Sequence, residues 1–407
     1  MGPTSRSTGR SGPTSRSGPT SGSGPTSGSG QASRSGHASA TVGIVGGGQL
    51  ARMLAQAAIP LSVSLRVFTD DADEATAALI PHHGLDSDDP SSWFHLVDVV
   101  TFEHELFALE RVRAMERAGL AVRPSAAVMS LSNKATQRRT LSELGFPVPG
   151  FVTTTTAEGV VAFARRQGWP VVVKVASGGY DGRGVWMLDD ADGLDAVPLD
   201  GREFVVEPCF ALEREIAVQV ARRPNGDAVV YPVVETVQRD GMCREVIAPA
   251  PIAPGLAAET QQLARDLANA IGLAGFLAIE LFVVDGGLVV NELAPRVHNS
   301  GHYTIEGCVT SQFENQLRAV LDWPLGSPQL RAPYAVMVNV VGSDEGDPTD
   351  RLADALRIDD VHVHLYGKSW RPGRKLGHVT VLADDVDRAR QRAHAAVRAL
   401  GGLAMDA

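Results

Sequence analysis

Cysteine is scarce in this chain. The three present, Cys209, Cys243 and Cys308, are widely spaced and form no CxxC pair, which argues against a disulfide framework or a zinc knuckle and fits a reducing, cytoplasmic compartment. Long hydrophobic runs are missing as well: none approaches the ~20 apolar residues that a membrane helix needs, so no membrane span is expected. Excess positive charge is also absent. The formal net charge of −10 excludes a broad nucleic-acid-binding face, while a local basic pocket for a small phosphate stays compatible with it.

What is present is ordinary globular composition, 44% hydrophobic and 21% charged over 407 residues. That length is too great for one ordinary core, so two or three domains are expected. Residues 1–40 stand apart. They repeat Gly-Pro-Thr-Ser and Ser-Gly units and carry Arg6, Arg10, Arg16 and Arg34 with no acid and almost nothing apolar, a composition that cannot fold alone. Lacking an apolar h-region, and too rich in Gly and Pro for an amphipathic transit helix, the segment reads as a disordered tail or the product of a misplaced start codon.

At Thr41 the pattern changes to strand, glycine turn and helix: Thr41–Val45, then Gly46-Gly47-Gly48, then Gln49–Ala58. Further strands are expected at 65–68 and 98–102, an amphipathic helix at 106–118 and a short strand at 121–122, which together make a small doubly wound domain. A helix over 133–144 leads to Pro147 and Pro149, beyond which strands are expected at 171–176, 184–188, 203–207 and 215–221. After Pro324 the spacing predicts strands at 335–341, 361–366 and 378–382 and a helix at 386–400. No internal repeat is found.

Gly46, Gly48 and Ala51 fit G-x-G-x-x-G/A, with Asp70 about 20 residues on, the fingerprint of a dinucleotide site. Alone this points to an NAD-dependent oxidoreductase. The physical content is weaker, because a glycine turn before a helix lets backbone amides approach any anion or polar ligand, or simply makes a tight turn.

Two later segments are more specific. Pro170-Val-Val-Val-Lys174-Val-Ala176 is an apolar strand holding one lysine, and a buried ammonium is costly unless an anion meets it. It runs into Ser177-Gly178-Gly179-Tyr180-Asp181-Gly182-Arg183-Gly184, four glycines in eight residues, flexible enough to fold amides over a polyphosphate or simply to make a hairpin. No Gly-Lys-Ser/Thr follows, so this is not a P-loop. The second segment, 278–284 and 288–292 about Asp285-Gly286-Gly287, reads as a hairpin. With the turn centred on Gly286, Glu280 and Glu292 face each other, and like charges so placed make most sense with Mg²⁺ between them and a nucleotide. A solvated edge hairpin is the alternative.

The polar loop Arg296-Val297-His298-Asn299-Ser300-Gly301-His302 follows, suited to holding substrate or to capping a helix that starts near Thr310. Lys368, Arg374 and Lys375 concentrate positive charge in an acidic chain, as a phosphate clamp or an exposed basic turn.

Taken together, GIVGGGQLARM, TFEHE, GGYDGRG, NELAPRVHNSGH, TSQFE, YGK and GRKLGH resemble the N5-carboxyaminoimidazole ribonucleotide synthetase family, from Thr41 to about Leu400. The resemblance implies an α/β and α+β fold of ATP-grasp architecture: an N-terminal doubly wound (preATP-grasp) domain at 41–130, an ATP-grasp domain at 131–325 and a small C-terminal domain at 326–407. It also implies a homodimer, and a reaction of ATP, bicarbonate and aminoimidazole ribonucleotide whose product passes to a separate mutase. Lys134 and Lys174 would contact the ATP phosphates, with Gly178, Gly179, Tyr180, Asp181, Gly182, Arg183 and Gly184 covering them. Glu207, Pro208, Cys209, Phe210 and Glu215 would hold adenine and ribose, and Gln238 and Asn291 complete the nucleotide side. Glu280 and Glu292 would bind Mg²⁺. Gln49, Leu50, Glu103, Asp181, Asn299, Lys368, Arg374 and Lys375 would hold the ribonucleotide, and Tyr180, Arg296 and His298 would surround bicarbonate, these three forming the catalytic set together with Lys174. By the same resemblance the first glycine turn becomes a substrate-side loop and Asp70 has no special role.

Four positions depart from the family pattern: Ala51 for glycine, Arg183 for lysine, Gln238 for a nucleotide-side histidine and Val297 for proline. The last two bear on ATP contact and loop rigidity. Competing expectations are a sister enzyme that uses formate to formylate glycinamide ribonucleotide, and a catalytically inactive ATP-binding regulator.

Overall fold

The computed structural model describes residues 39–71, 76, 79–84, 95–179 and 182–403. Tyr180, Asp181 and residues 1–38 lie outside the described residues. Ser39 and Ala40 already belong to the folded body: the Ala40 carbonyl accepts from the Ser64 N–H at 2.8 Å and the Ser39 and Ser64 hydroxyls are 3.0 Å apart.

Three sheets follow one another along the chain. The first contains β1 (Thr41–Val45), β2 (Ser64–Phe68), β3 (His82–His83) and β4 (Val99–Phe102), all parallel, in the order β3-β2-β1-β4. The helix Gln49–Ala58 covers it with Leu50, Ala51, Met53, Leu54 and Ala58 buried, the i, i+3, i+4 spacing of one helix face. The second sheet is antiparallel, β5 (Val152–Thr154), β6 (Val171–Val175), β7 (Val185–Leu188) and β8 (Phe204–Pro208), ordered β5-β8-β6-β7.

The third sheet has nine strands. These are β9 (Arg214–Arg222), β10 (Ala228–Val230), β11 (Val234–Arg239), β12 (Met242–Ala248), β13 (Gly275–Val284), β14 (Gly287–Ala294), β15 (Tyr334–Val341), β16 (Val361–Leu365) and β17 (Lys375–Ala383). Because β12 pairs with β15, from Glu245↔Val338 to Ala248↔Ala335, the sheet is continuous across the expected boundary at 325. Two helices build separate cores on it, Pro254–Ala270 with β9 and β13, and Val386–Ala399 with β15 and β17.

Several expectations shift. The helix expected at 106–118 runs Leu109–Arg117, and the one expected near Thr310 starts at Gln312, capped by Ser311, whose side chain accepts from the Glu314 N–H. The strand expected at 121–122 is a single bridge, Val100↔Val122. Strands β11 and β12 and the helices at 157–167 and 254–270 were not read from the sequence. Among the described residues no helix is long and apolar enough to cross a membrane.

Candidate active site

The site is assembled where β6 and β8 of the second sheet meet the β13–β14 hairpin of the third. Lys174 on β6 pairs with Val205 of β8, so Glu207, two residues along, is its diagonal neighbour on the same face, within reach of a long side chain. Lys174 Nζ lies 2.7 Å from Glu207 Oε2, and Arg138 Nε donates to the other carboxylate oxygen. The side chains of Lys174, Glu207 and Arg138 are 11%, 3% and 1% exposed. Burial alone would raise the Glu207 pKa; the two cations overrule it and hold the carboxyl at about 2. Burial lowers the Lys174 pKa, and Glu207 opposes that shift. The lysine expected to need an anion thus has a protein carboxylate against it.

On the other wall, β13 and β14 bring Glu280 opposite Glu292, by a different route from the one expected. The turn is the two-residue Asp285-Gly286, with Val284 opposite Gly287, and a bulge leaves Asn291 without a partner between Val290 and Glu292. A bulge breaks the strict alternation of side chains. Asn291 and Glu292 therefore both reach the cleft, where Lys174 Nζ donates to Asn291 Oδ1 at 2.9 Å and Lys134 Nζ contacts Glu292 Oε1. Arg138 holds the bulged backbone itself, donating to the Asn291 carbonyl at 2.6 Å.

Burial, then Glu292 and Glu215, push the Glu280 carboxyl up to about 7, while Lys134 and Lys375 pull it down. Two partly exposed carboxylates facing each other destabilise each other's charge, a conflict that a bound cation removes. Among the described residues no group of three or more His, Cys, Asp or Glu gathers into a metal site. A two-carboxylate set fits Mg²⁺, which takes one or two protein carboxylates and completes its shell with substrate phosphates and water.

The loop after β14 is pinned from several sides. Arg296 Nε and Nη2 both donate to Glu105, the Nη2 bond being 3.0 Å, and Nη1 donates to the Val297 carbonyl at 3.1 Å. Val297 is fully buried in the core shared with the first helix, so packing restrains the loop where the family's proline is replaced. His298 Nδ1 accepts from the Ser300 N–H at 3.3 Å and lies 2.9 Å from the Ser300 hydroxyl, while Nε2 is 3.6 Å from Glu280 Oε1. Gln312 fixes the His298 backbone on both sides, accepting from its N–H at 2.9 Å and donating to its carbonyl at 2.8 Å. Asn299 exchanges two amide bonds, 2.9 and 2.8 Å, with Asn339.

The first glycine turn does not present an open dinucleotide cradle. The Gly48 N–H donates to the Glu103 carboxylate, and a Cβ on residue 48 would collide with that carboxylate, so the chain's own anion caps the helix N-terminus. Leu50, expected on the substrate side, has its side chain in the core, which leaves its backbone as the part that can face a ligand. Gln49 is half-buried beside it.

The remaining expected residues are dispersed around this centre. A Cβ on Gly182, in the glycine loop, would lie 3.0 Å from Gly241 Cα, so the loop is seated against the β11–β12 turn and both positions, at positive φ, have no room for a side chain. Gly178, Gly179, Arg183 and Gly184 share that loop, while Pro208, Cys209 and Phe210, half-buried, continue from β8. Glu215 on β9 has its pKa raised by burial, with Lys174 opposing. Gln238 pairs with Cys243 across an irregularity in β11 and β12. Lys368 Nζ lies 5.8 Å from the Tyr366 ring centre, Arg374 donates to the Ser369 carbonyl at 3.0 Å and hydroxyl at 2.7 Å, and Lys375 opens β17.

Sequence reasoning missed Arg138, Gln312, Asn339 and Glu105. The signal for Arg138 was present: Lys134, Gln137, Arg138 and Leu141 follow the i, i+3, i+4, i+7 spacing of a buried helix face, and all four are buried. Glu105 stood two residues past Glu103 in the same TFEHE run.

Comparison with known proteins places this geometry. The ribonucleotide synthetase preATP-grasp domain matches residues 39–133, the ATP-grasp domain 139–313 and the phosphoribosylaminoimidazole carboxylase C-terminal domain 335–392. The N5-carboxyaminoimidazole ribonucleotide synthase of Mycobacterium bovis is 44% identical over 371 residues, 87% of this chain and 86% of its own. The N5-carboxyaminoimidazole ribonucleotide synthetase of Thermus thermophilus superposes with a TM-score of 0.81 at 33% identity, over 90% of this chain and 100% of its own. The N5-carboxyaminoimidazole synthase of Aspergillus clavatus, solved with ADP and 5-aminoimidazole ribonucleotide, gives 0.80 at 30% identity, over 89% and 99%. With three consecutive domain matches and that identity over most of both chains, this chain belongs to the N5-carboxyaminoimidazole ribonucleotide synthase family of ATP-grasp ligases.

Proposed function

We propose how the cleft carries out the family's reaction, the ATP-dependent formation of N5-carboxyaminoimidazole ribonucleotide from aminoimidazole ribonucleotide and bicarbonate in purine biosynthesis. The observation that carries the assignment is the facing pair Glu280 and Glu292, with Lys134 and Lys174 beside it. Lys134 and Lys174 neutralise the ATP phosphates, and the glycine loop 178–184 closes over them. Glu207 contributes by orienting Lys174, since its carboxylate is held by Lys174 and Arg138. Adenine and ribose then fall to the backbone of 207–210 and to Glu215. Glu280 and Glu292 would hold Mg²⁺, which would neutralise charge on the transferred phosphoryl group.

Bicarbonate is a poor electrophile. Its oxygen attacks the terminal phosphorus of ATP, giving carboxyphosphate and ADP; the exocyclic amine of the ribonucleotide then forms the N–C bond with that carbonyl carbon, or with CO₂ released from it, and phosphate leaves. Arg296, His298 and Tyr180 hold the bicarbonate oxygens. Glu103, Asp181, Asn299 and the backbone at Gln49 and Leu50 orient the ribonucleotide, whose phosphate meets Lys368, Arg374 and Lys375. A closed loop keeps water from the acyl phosphate. We also propose a homodimer, a cytoplasmic location, and delivery of the product to a separate mutase.

The test is ADP release measured with each ribonucleotide and each one-carbon acid. Turnover that requires both aminoimidazole ribonucleotide and bicarbonate supports the assignment. Turnover with glycinamide ribonucleotide and formate supports the formylating alternative, and no turnover with either pair supports an inactive regulator.

A further inference from the structure

The TFEHE run contains a second carboxylate to which the reaction described above gives no task. Glu105 and Arg296, 191 positions apart, meet as a two-bond ion pair with side chains only 23% and 17% exposed. Burial would raise the Glu105 pKa, but the guanidinium holds it at about 2, so the pair stays charged throughout the neutral range.

The donor count of the guanidinium is informative. Arginine has five N–H donors, one on Nε and two on each terminal nitrogen. Glu105 takes the Nε donor and one on Nη2, and the Val297 carbonyl takes one on Nη1. One donor remains on each terminal nitrogen, available to an incoming oxyanion. Arg296 also feels the charges of Glu292 and Glu103. An arginine with several accessible rotamers, set free beside these acids, would turn toward them and compete for the pair expected to hold the cation.

We propose that Glu105 is a positioning residue for the carboxylation, clamping Arg296 by its Nε–Nη2 edge so that the terminal edge is presented to bicarbonate and kept off Glu292. The inference rests on the reading that Arg296 binds bicarbonate. It assigns to the N-terminal domain a part in bicarbonate capture that is separate from its part in holding the ribonucleotide.

The experiment is steady-state kinetics of the full chain in CO₂-depleted buffer with bicarbonate as the varied substrate, on Glu105→Gln, Glu105→Asp and Arg296→Lys. Outer partners that orient a binding group change affinity or activity by roughly 10- to 100-fold; the expected result is a rise of that size in the bicarbonate KM of Glu105→Gln, with the KM values for ATP and ribonucleotide within about twofold of the parent. Glu105→Asp keeps the charge but is one methylene short, and should fall between. If Glu105→Gln is poorly folded, the bicarbonate KM of Glu105→Asp alone decides. A merely structural role would lower the melting temperature and scale kcat without that split, and this result overturns the proposal. Should Arg296→Lys raise the bicarbonate KM while both Glu105 variants leave it unchanged, the positioning role fails and the bicarbonate assignment stands. Should Arg296→Lys leave it unchanged, the assignment itself fails and the proposal with it.

Discussion

Glu280 and Glu292 face each other across β13 and β14 because Asn291 bulges out of the register between them. The two-residue turn alone would set the pairing one residue off, placing Asn291 opposite Glu280 and turning Glu292 to the other side. The extra residue restores the carboxylate pair and adds an acceptor for Lys174.

Glu292→Gln keeps the shape of the side chain and removes one of the two charges proposed to hold Mg²⁺. Loss of one preorganised electrostatic contact typically lowers kcat by about 100- to 1,000-fold. The expected variant is soluble with a near-parental melting temperature, and its kcat falls by at least the lower figure at saturating magnesium. Near-normal turnover from a folded protein would remove Glu292 from the metal site.

Asn291→Leu tests the bulge from the lysine's side. Lys174 loses an acceptor at 2.9 Å but keeps Glu207 at 2.7 Å, and a hydrogen bond to a charged group contributes about 1.5 kcal/mol or more. The KM for ATP should rise roughly tenfold and that for bicarbonate far less, as read from saturation curves for each.

Acid should weaken the fold through its ion pairs. Glu105 and Glu207 titrate at about 2 in the folded chain against an ordinary value of 4.5, so the unfolded chain takes up protons first. The stabilisation is fully present above about pH 4.5 and is lost as pH falls toward 2. Glu105→Gln removes one such group, and the loss of stability between about pH 5 and pH 3 should be smaller by about 2 kcal/mol. Urea midpoints at several pH values check this; an identical pH slope in parent and variant contradicts it.

The proposed phosphate clamp of Lys368, Arg374 and Lys375 gives a test that separates substrate recognition from ATP chemistry. Replacing Arg374 or Lys375 with Ala should raise the KM for the ribonucleotide by roughly 10- to 200-fold, equivalent to about 1.5 to 3 kcal/mol, with little change for ATP. If ATP saturation shifts and ribonucleotide saturation does not, the cluster belongs to the nucleotide side.

Local features of the site were legible in the sequence. The apolar strand interrupted by Lys174 and the β13–β14 hairpin follow from periodicity and turn chemistry within about 20 residues of chain. What escaped was built from distance. Arg138 reaches Glu207 and Asn291 over 69 and 153 positions, and no local pattern reports such partners. The glycine fingerprint at Gly46–Ala51 was misleading for the same reason: its ligand-facing amide is capped by Glu103, 55 residues away. Register arithmetic also reached the right pair from the wrong turn centre, because a bulge leaves no mark in residue types alone.

The central claim is that ATP activates bicarbonate in this cleft, and the most direct measurement follows an oxygen atom. With bicarbonate labelled in heavy oxygen, aminoimidazole ribonucleotide and ATP, attack of bicarbonate on the terminal phosphorus leaves one labelled oxygen on the inorganic phosphate, which mass spectrometry reads. One labelled oxygen per phosphate formed is the expected result; stoichiometric ADP with wholly unlabelled phosphate would contradict it.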